Sequence, residues 1–334
     1  MVEQITHNLY RIGVPLEGNP LRELNSYFLR GAERDLLIDT GFRTESCRLA
    51  LEVGLREVDS DPNRRDVAAT HLHTDHCGMM DLFAAPTGNI YMPAPDLSFH
   101  LDSLDGSFRP IRHRRYMSEG FPEDLLLIIF PKNPAEQYGM QKQDTRFVPL
   151  ADGDEIRVGD FCLKTIYVPG HTPGNAMFWE ESQGIMFTGD HILFDISPNI
   201  TCWERAKDSL GDYLQSLRSA LDYPVQLALP GHRKSGPYHQ RIRELLSHHD
   251  IRLAEILSIL RSQPGLTAYE IAGKMTWKIR SGIGRAFRRC KNGLPWANAF
   301  LIWIIWCSAV ISAVMKTASC GAIPSHKGGL HVYP

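Results

Sequence analysis

The feature that most constrains this chain is a cluster of metal-binding side chains, His71-Leu-His73-Thr-Asp75-His76. It directly follows residues 66–70, DVAAT, which have the pattern of a short buried strand. Imidazole nitrogens and carboxylate oxygens are the ligands of open catalytic zinc sites. In an extended turn, His71 and His73 can face one ion while Asp75 and His76 face a second. The cluster therefore predicts a metal site at the end of a strand.

Three further candidate ligands each follow a glycine at the end of a predicted strand. They are His171 in PGHTPG, Asp190 in FTGD and His232 in LPGH. Glycine permits a sharp backbone turn that brings the next side chain close to an ion. One such pair alone would be an ordinary core or surface feature, but five histidines and two aspartates in this order indicate a single ligand set.

Strands that alternate with helices and end in Asp or His are typical of an α/β domain with its site at the strand ends. Strands are predicted at 5–14, on both sides of Gly31–Asp35, and at 66–70, 147–170, 184–190 and 225–232. Helices are predicted at 44–56 and 208–221. Residues 96–146 are helical and mixed in charge, which predicts an insertion over the site.

The character of the chain changes after Gly236. A long helix is predicted over 237–262, and Thr267 with Glu270 forms the pattern of a capping box that opens another helix. We therefore predict a catalytic domain over 1–235 and a small helical, winged-helix-like domain over 236–334.

The motifs HLHTDH, PGHTPG, TGD and PGH, together with Asp39 in LLIDTG, resemble those of the metallo-β-lactamase-fold hydrolases. The resemblance spans residues 5–235 and implies an αββα sandwich with two divalent metal ions at one edge, zinc before iron or manganese. It implies that Asp190 bridges the ions and that Asp39 orients a ligand. The other implied ligands are His71, His73 and His171 for one ion, and Asp75, His76 and His232 for the other.

The implied reaction is hydrolysis by a metal-bound hydroxide, with Asp75 taking part in proton transfer and Asp39 in support. The substrate expected is a small thioester, ester or lactone. No GxSxG motif occurs, which argues against a serine hydrolase. Asp190 occupies the position where some zinc β-lactamases carry Cys, which argues against antibiotic hydrolysis. Two alternatives stay open: an RNA or phosphoester hydrolase, and an iron-dependent sulfur dioxygenase.

Two branches of this family are candidate matches for the sequence. Glyoxalase II-like thioesterases share the ligand set, whereas TAYEIAGKMTWKIR at 267–280 resembles the winged-helix-like domain of the lactamase-beta-like endoribonucleases. Residues 233–291 carry 13 Lys or Arg and 4 Asp or Glu, which is compatible with a nucleic-acid footprint. We favour a solvated helical face and expect a small-molecule substrate.

Candidate substrate-binding residues come from the site rim and from the insertion. Asn175 stands where many relatives have His, and His191 follows the bridging aspartate. Arg112, Arg115 and Tyr116 of the insertion could meet an anionic substrate, or belong to an exposed helix face.

The segment from Asn292 to Met315 contains no charged residue, so a membrane span and a buried core helix are both possible interpretations. We favour a third. Residues 281–326 depart from the family's polar continuation, and permitted codons read one frame over restore it, which indicates compensating frameshifts. The seven cysteines contain no C-x-x-C pair, and no signal or transit peptide is predicted, so a cytoplasmic protein is expected.

Overall fold

The computed structural model describes residues 1–104, 108–129, 139–140 and 146–276, and these form two stacked sheets. The first sheet has seven strands in chain order: β1 (Val2–Thr6), β2 (Leu9–Pro15), β3 (Glu23–Leu29), β4 (Asp35–Ile38), β5 (Arg65–Ala68), β6 (Ile90–Pro93) and β7 (Phe147–Leu150). Strands β1 to β4 pair antiparallel, and β4 to β7 pair parallel.

The second sheet has five strands in the order β12-β11-β10-β9-β8. They are β8 (Glu155–Val158), β9 (Phe161–Tyr167), β10 (Ala176–Glu180), β11 (Ile185–Gly189) and β12 (Leu227–Pro230). Neighbours pair antiparallel except β11 and β12, which are parallel. The parallel pairs place the carboxyl ends of β5, β11 and β12 where polar loops can converge.

Nine helices occur in the described part of the chain. They are α1 (Glu45–Glu57), α2 (Thr74–Cys77), α3 (Met80–Phe83), α4 (Ala94–Ser103), α5 (Phe108–Ser118), α6 (Glu123–Ile129), α7 (Ser209–Ala220), α8 (Tyr238–Ser262) and α9 (Ala268–Lys274). The predicted helical insertion corresponds to α4, α5 and α6 within the described residues.

Alternation along β3 explains how the layers form. Tyr27 and Leu29 belong to the core between the two sheets, whereas Phe28 belongs to the core under α1. Successive strand residues point to opposite faces, so one strand serves both layers. Tyr27 meets Phe187 of the second sheet edge to face, with ring centroids 5.3 Å apart. The outer face of the second sheet is covered by helices α7, α8 and α9. The predicted αββα sandwich is therefore confirmed.

Three elements differ from the expectation. Residues 5–14 form the end of β1, a turn and most of β2, because Thr6 pairs directly with Leu9. Strands β6 and β10 were not predicted. All five residues of β10 are buried, so it lacks the alternation that marks a half-buried strand.

The helices after residue 236 share a core with the second sheet. Ile242 of α8 and Ile271 of α9 are fully buried there, and the capping box of Thr267 and Glu270 is present. The start of α9 also contacts the insertion, because the Tyr269 amide donates to the Glu119 carbonyl at 3.1 Å. A domain boundary at 235 remains a prediction.

The predictions for residues 281–326, including the apolar segment 292–315, and for a winged-helix-like domain beyond α9 lie outside the described residues. Among the helices that the structure describes, none combines the length and apolar character needed to cross a bilayer.

Candidate metal centre

The seven predicted ligands lie at neighbouring strand ends and loops. His71, His73, Asp75 and His76 follow β5, and His171 lies in the loop between β9 and β10. Asp190 directly follows β11, and His232 follows β12. All of them are buried except His73, which is partly exposed.

The ligand atoms form three overlapping groups, and the atoms within each group lie within 4.8 Å of one another. We call one group the nitrogen subsite, which consists of His71, His73 and His171. We call another the acidic subsite, which consists of Asp75, His76 and His232. Asp190 lies between them, since its Oδ2 is 3.7 Å from His171 Nε2 and 3.5 Å from His232 Nε2.

Outer hydrogen bonds determine which ring nitrogen of each histidine carries the proton. Carbonyl and carboxylate oxygens accept only, so a ring nitrogen that bonds to one must donate. Three such bonds are present: His76 Nδ1 to Asp39 Oδ2 at 2.7 Å, His171 Nδ1 to the Asn199 carbonyl at 2.5 Å, and His232 Nδ1 to the Glu23 carbonyl at 2.8 Å. In the neutral rings, each Nε2 therefore presents a lone pair to the centre.

His71 also carries its proton on Nδ1, because of its hydrogen bond to Thr70. The Thr70 hydroxyl donates to Asp39 Oδ2 at 2.9 Å, so it can only accept from His71 Nδ1, which is 3.0 Å away. The Thr70 amide donates to Asp39 Oδ1 at 2.8 Å. Asp39 itself has a left-handed backbone with φ +59°, a conformation that Asp tolerates better than most residues. Asp39 thus orients His76 directly and His71 through one hydroxyl.

The inward-facing atoms fit a pair of cations. His76 Nε2 lies 3.2 Å from His232 Nε2, and His71 Nε2 lies 3.0 Å from His73 Nδ1. Two facing lone pairs repel each other unless a proton or a metal ion lies between them. His171 Nε2 and Asp190 Oδ1 are buried without a hydrogen-bond partner among the described residues. Such atoms need an explanation, and a divalent ion in each subsite supplies it.

The pKa values of the ligand residues separate the two subsites. Burial and then the neighbouring imidazoles lower the pKa of His71 well below its usual value, and burial with His171 lowers the pKa of His73 to about 3. Burial alone would raise the pKa of Asp75, but His76 and His232 lower it to about 2. Burial opposes protonation of His76, but the carboxylates led by Asp39 raise its pKa well above normal.

One glycine is required by a close approach within the centre. A Cβ on Gly231 would lie 2.7 Å from Asp190 Oδ1 and 2.7 Å from His76 Cε1. These distances are shorter than van der Waals contact, so any larger residue would displace two ligands. The glycine of LPGH therefore lets the β12 loop close over the site.

Among the described residues, the three ligand groups do not include the predicted substrate residues. Asn175 is buried, with its side-chain amide donating to the Val168 carbonyl at 3.4 Å. His191 is buried, and burial followed by the effect of His171 lowers its pKa to about 3. Arg112 pairs with Glu204 at 2.8 Å, Arg115 pairs with Glu119 at 3.1 Å, and Tyr116 packs against Phe121. A substrate-binding role for these residues stays a prediction.

Two residues beside the ligands were missed by the sequence analysis. The Trp203 ring lies 5.8 Å from that of His73, and its indole N–H donates to the His171 carbonyl at 2.9 Å. Asp96 is buried and accepts hydrogen bonds from both ligand loops of the nitrogen subsite. Only its place in the first turn of a helix, in PAPD, could have drawn attention to Asp96.

Comparison with known proteins agrees with this geometry. The profile of the Metallo-beta-lactamase superfamily matches residues 20–232. The human acyl-coenzyme A thioesterase MBLAC2 is 27% identical over 218 residues, which cover 62% of this chain and 72% of that protein. The lactamase-like protein aptB of Emericella nidulans is 24% identical over 317 residues, covering 90% of this chain and 83% of that protein.

Among solved structures, the metallo-beta-lactamase family protein TTHA1429 of Thermus thermophilus superposes with a TM-score of 0.76. It is 25% identical, and the match covers 96% of each chain. A beta-lactamase domain protein of Burkholderia ambifaria has a TM-score of 0.75 at 19% identity, covering 96% of this chain and 88% of that one, and it shares the fold.

Proposed function

The chain belongs to the metallo-β-lactamase superfamily, whose profile covers most of the sandwich, and we propose that this metal-dependent hydrolase cleaves thioesters with a dinuclear centre. The observation that carries the proposal is the arrangement of inward lone pairs around Asp190, which provides ligands for two ions. The similarity to a human acyl-coenzyme A thioesterase supports the choice of a thioester.

We assign the nitrogen subsite to one ion, the acidic subsite to the other, and Asp190 to both. Zinc is the metal we expect, since imidazole and carboxylate ligands suit it, with iron or manganese as alternatives. When bound, such ions lower the pKa of a water to about 7 and polarise a carbonyl. The chain offers binding, orientation and a proton acceptor around this chemistry.

Asp75 is the proton acceptor in this proposal. Its lowered pKa, about 2, keeps the carboxylate ionised at neutral pH and therefore able to accept a proton, and it also makes Asp75 a weak base. Its Oδ2 lies 3.4 Å from His232 Nε2, and its side chain is 12% exposed, whereas that of Asp190 is 7% exposed. Asp39 acts behind the ligands by holding the Nδ1 proton of His76.

The partly exposed His73 marks the side from which a substrate would approach. Trp203 lies beside His73 and meets Phe99 edge to face, with ring centroids 5.0 Å apart. Phe99 is 3% exposed and Trp203 is 8% exposed, so we assign the pair to the wall behind His73 and only its exposed edge to the apolar part of the acyl group. Its position next to the nitrogen subsite would place the scissile carbonyl near the ligands.

Thiol release from acyl-coenzyme A and from S-lactoylglutathione tests the proposal, with zinc-loaded protein and the His73→Ala variant as control. We expect steady turnover that the variant loses by more than roughly 100-fold, the upper range for residues that only support a ligand. A protein that holds two zinc ions but hydrolyses only lactones or oxygen esters would overturn the thioester assignment.

Two further assays on the same protein separate the alternatives. RNA cleavage with an affinity that falls steeply as salt rises would indicate a phosphoester hydrolase. Bound iron with oxygen uptake would indicate a sulfur dioxygenase. Either result, with no thiol release, contradicts the proposal.

A further inference from the structure

A fully buried carboxylate, Asp96, lies in the first turn of α4 beside the nitrogen subsite. We propose that Asp96 is a positioning residue that fastens the two ligand loops of this subsite to each other and thereby sets its metal affinity. The inference rests on the metal assignment of the proposed function, but not on the choice of substrate.

Three donors from two distant loops converge on this carboxylate. Its Oδ2 accepts from the Leu72 amide at 2.8 Å and from the Thr172 hydroxyl at 2.6 Å. Its Oδ1 accepts from the Gly174 amide at 2.5 Å. Leu72 separates His71 from His73, and Thr172 follows His171. One side chain therefore contacts the chain immediately next to all three imidazoles of the nitrogen subsite.

The contact requires a carboxylate and a glycine. An amide at position 96 would replace one acceptor oxygen by a donor, so at least one of the three N–H or O–H groups would face another donor. A Cβ on Gly174 would lie 2.6 Å from the Asp96 amide nitrogen and 2.9 Å from Asp96 Oδ1. Glycine in HTPG thus lets the His171 loop approach the carboxylate.

Asp96 is itself held in a fixed position. The Ala94 amide donates to the Tyr167 hydroxyl at 3.1 Å, and that hydroxyl donates to the Leu150 carbonyl. These bonds attach the start of α4 to β7 and β9. A carboxylate in the first turn also interacts favourably with the positive end of the helix. Asp96 can therefore act as a rigid anchor for loops that carry no regular structure.

The acidic subsite depends on different groups. His76 donates to Asp39, and His232 donates to the Glu23 carbonyl. Loss of Asp96 should therefore affect the two subsites unequally. Outer-shell groups that orient metal ligands commonly change metal affinity by about 10–100-fold when they are replaced. We expect a loss of this size at the nitrogen subsite only.

The test is a cobalt(II) titration of the metal-free full chain, followed by visible absorption, chelator competition and metal content. For Asp96→Asn, we expect one of two binding steps to weaken by about 10–100-fold and the other to keep its wild-type affinity. Glu180→Gln is the matched control. Glu180 is also buried, and it accepts from the Ser182 hydroxyl at 2.8 Å and the Gln183 amide at 2.7 Å, but it lies at the far end of β10. This control should bind both ions normally.

A second pair of variants covers the case in which Asp96→Asn does not fold. Thr172→Val removes one of the three donors, and Thr172→Ser keeps it. The valine variant should bind metal more weakly in the same step that Asp96→Asn weakens. The serine variant should keep the wild-type affinity in that step. Rescue by serine is not expected if Thr172 matters only for packing.

Two outcomes overturn the inference. One is unchanged binding of both ions by folded Asp96→Asn or Thr172→Val protein, and the other is equal weakening of both steps together with a lower melting temperature. A wild-type chain that binds fewer than two ions overturns the metal assignment and this inference together. Selective weakening in a protein without thioesterase activity supports the inference while removing the proposed substrate.

Discussion

The two subsites of the metal centre are supported in different ways. In the nitrogen subsite, the outer nitrogens of His71 and His171 bond to neutral acceptors, the Thr70 hydroxyl and the Asn199 carbonyl. In the acidic subsite, His76 bonds to the carboxylate of Asp39, and Asp75 is a carboxylate among the candidate ligands. The carboxylate that bonds to a candidate ligand ring is therefore on the acidic side of Asp190, whereas the carboxylate of Asp96 bonds to Thr172 and to backbone amides of the nitrogen-subsite loops.

This difference predicts that one subsite determines which metal binds, while the other binds divalent cations mainly through its negative charge. An imidazole that donates to a carboxylate is a more basic ligand, and an ionised aspartate neutralises part of a cation's charge. Three imidazoles, of which His71 and His171 bond to neutral acceptors, instead favour metals that prefer nitrogen ligands. We infer that the nitrogen subsite chooses the metal, whereas the acidic subsite accepts a wider range of divalent ions.

The largest effect should follow from removing the residue that the subsites share. Asp190→Ala should weaken both binding steps and reduce hydrolysis by more than roughly 100-fold, because two ions lose a ligand. Metal content and turnover on the same preparation measure this. If one ion stayed bound with its wild-type affinity, Asp190 would belong to one subsite alone.

Asp39→Asn should have the second-largest effect on metal binding, and that effect should fall mainly on the acidic subsite. The amide has one acceptor oxygen, for which the His76 ring and the Thr70 donors then compete. We expect about 10–100-fold weaker binding at the acidic subsite and a smaller loss at the nitrogen subsite, where the effect passes through Thr70. Cobalt titration resolves the two steps. If metal affinity fell more at the nitrogen subsite than at the acidic subsite, Asp39 would mainly support the nitrogen subsite, contrary to this prediction.

Gly231→Ala should have a smaller effect on metal binding, through the two candidate ligands that Gly231 approaches. The added methyl group would press on Asp190 and His76, so metal affinity should fall by about tenfold, within the range for supporting residues. Gly18→Ala is the contrast, because Gly18 has φ +72° and an added Cβ there would meet no atom within 4 Å. That variant should lose about 1 kcal/mol of unfolding free energy and bind metal normally. Equal metal affinity in the two variants would contradict the close approach.

The smallest effect concerns metal choice. In zinc–manganese competition, manganese should replace zinc first at the acidic subsite, because manganese favours oxygen ligands. The manganese signal in electron paramagnetic resonance, measured with and without Asp39→Asn, follows this exchange. Preferential replacement at the nitrogen subsite would show that the ligand types do not control the order.

The convergence of the seven candidate ligands could be predicted because each of them lies within a short, recognisable stretch of sequence. His71, His73, Asp75 and His76 stand together, and the remaining three ligands each follow a glycine at a strand end. Asp96 gave no such signal, since its donors lie 24, 76 and 78 residues away along the chain. Residues that meet only in the folded sheet leave no local pattern.

The same limit applies to the layers of the fold. Six of the seven residues of β3 and all five residues of β10 are buried, so neither strand shows a regular alternation of polar and apolar residues. The charges of Arg112 and Arg115 were recognised, but their pairing with Glu204 and Glu119 depends on how the insertion packs. Charge alone does not tell whether a side chain faces ligand or protein.

The contact between α9 and the insertion has a consequence for how the sequence can change over evolution. Gly120 has φ +88°, and a Cβ there would lie 2.4 Å from the Thr267 hydroxyl oxygen, while Phe121 meets Tyr269 with ring centroids 5.3 Å apart. Substitutions in the corner between α5 and α6 must therefore be compatible with the residues at the start of α9, and the two segments should change together. A lineage that remodels its insertion to take a new substrate has to remodel a helix almost 150 residues later in the chain.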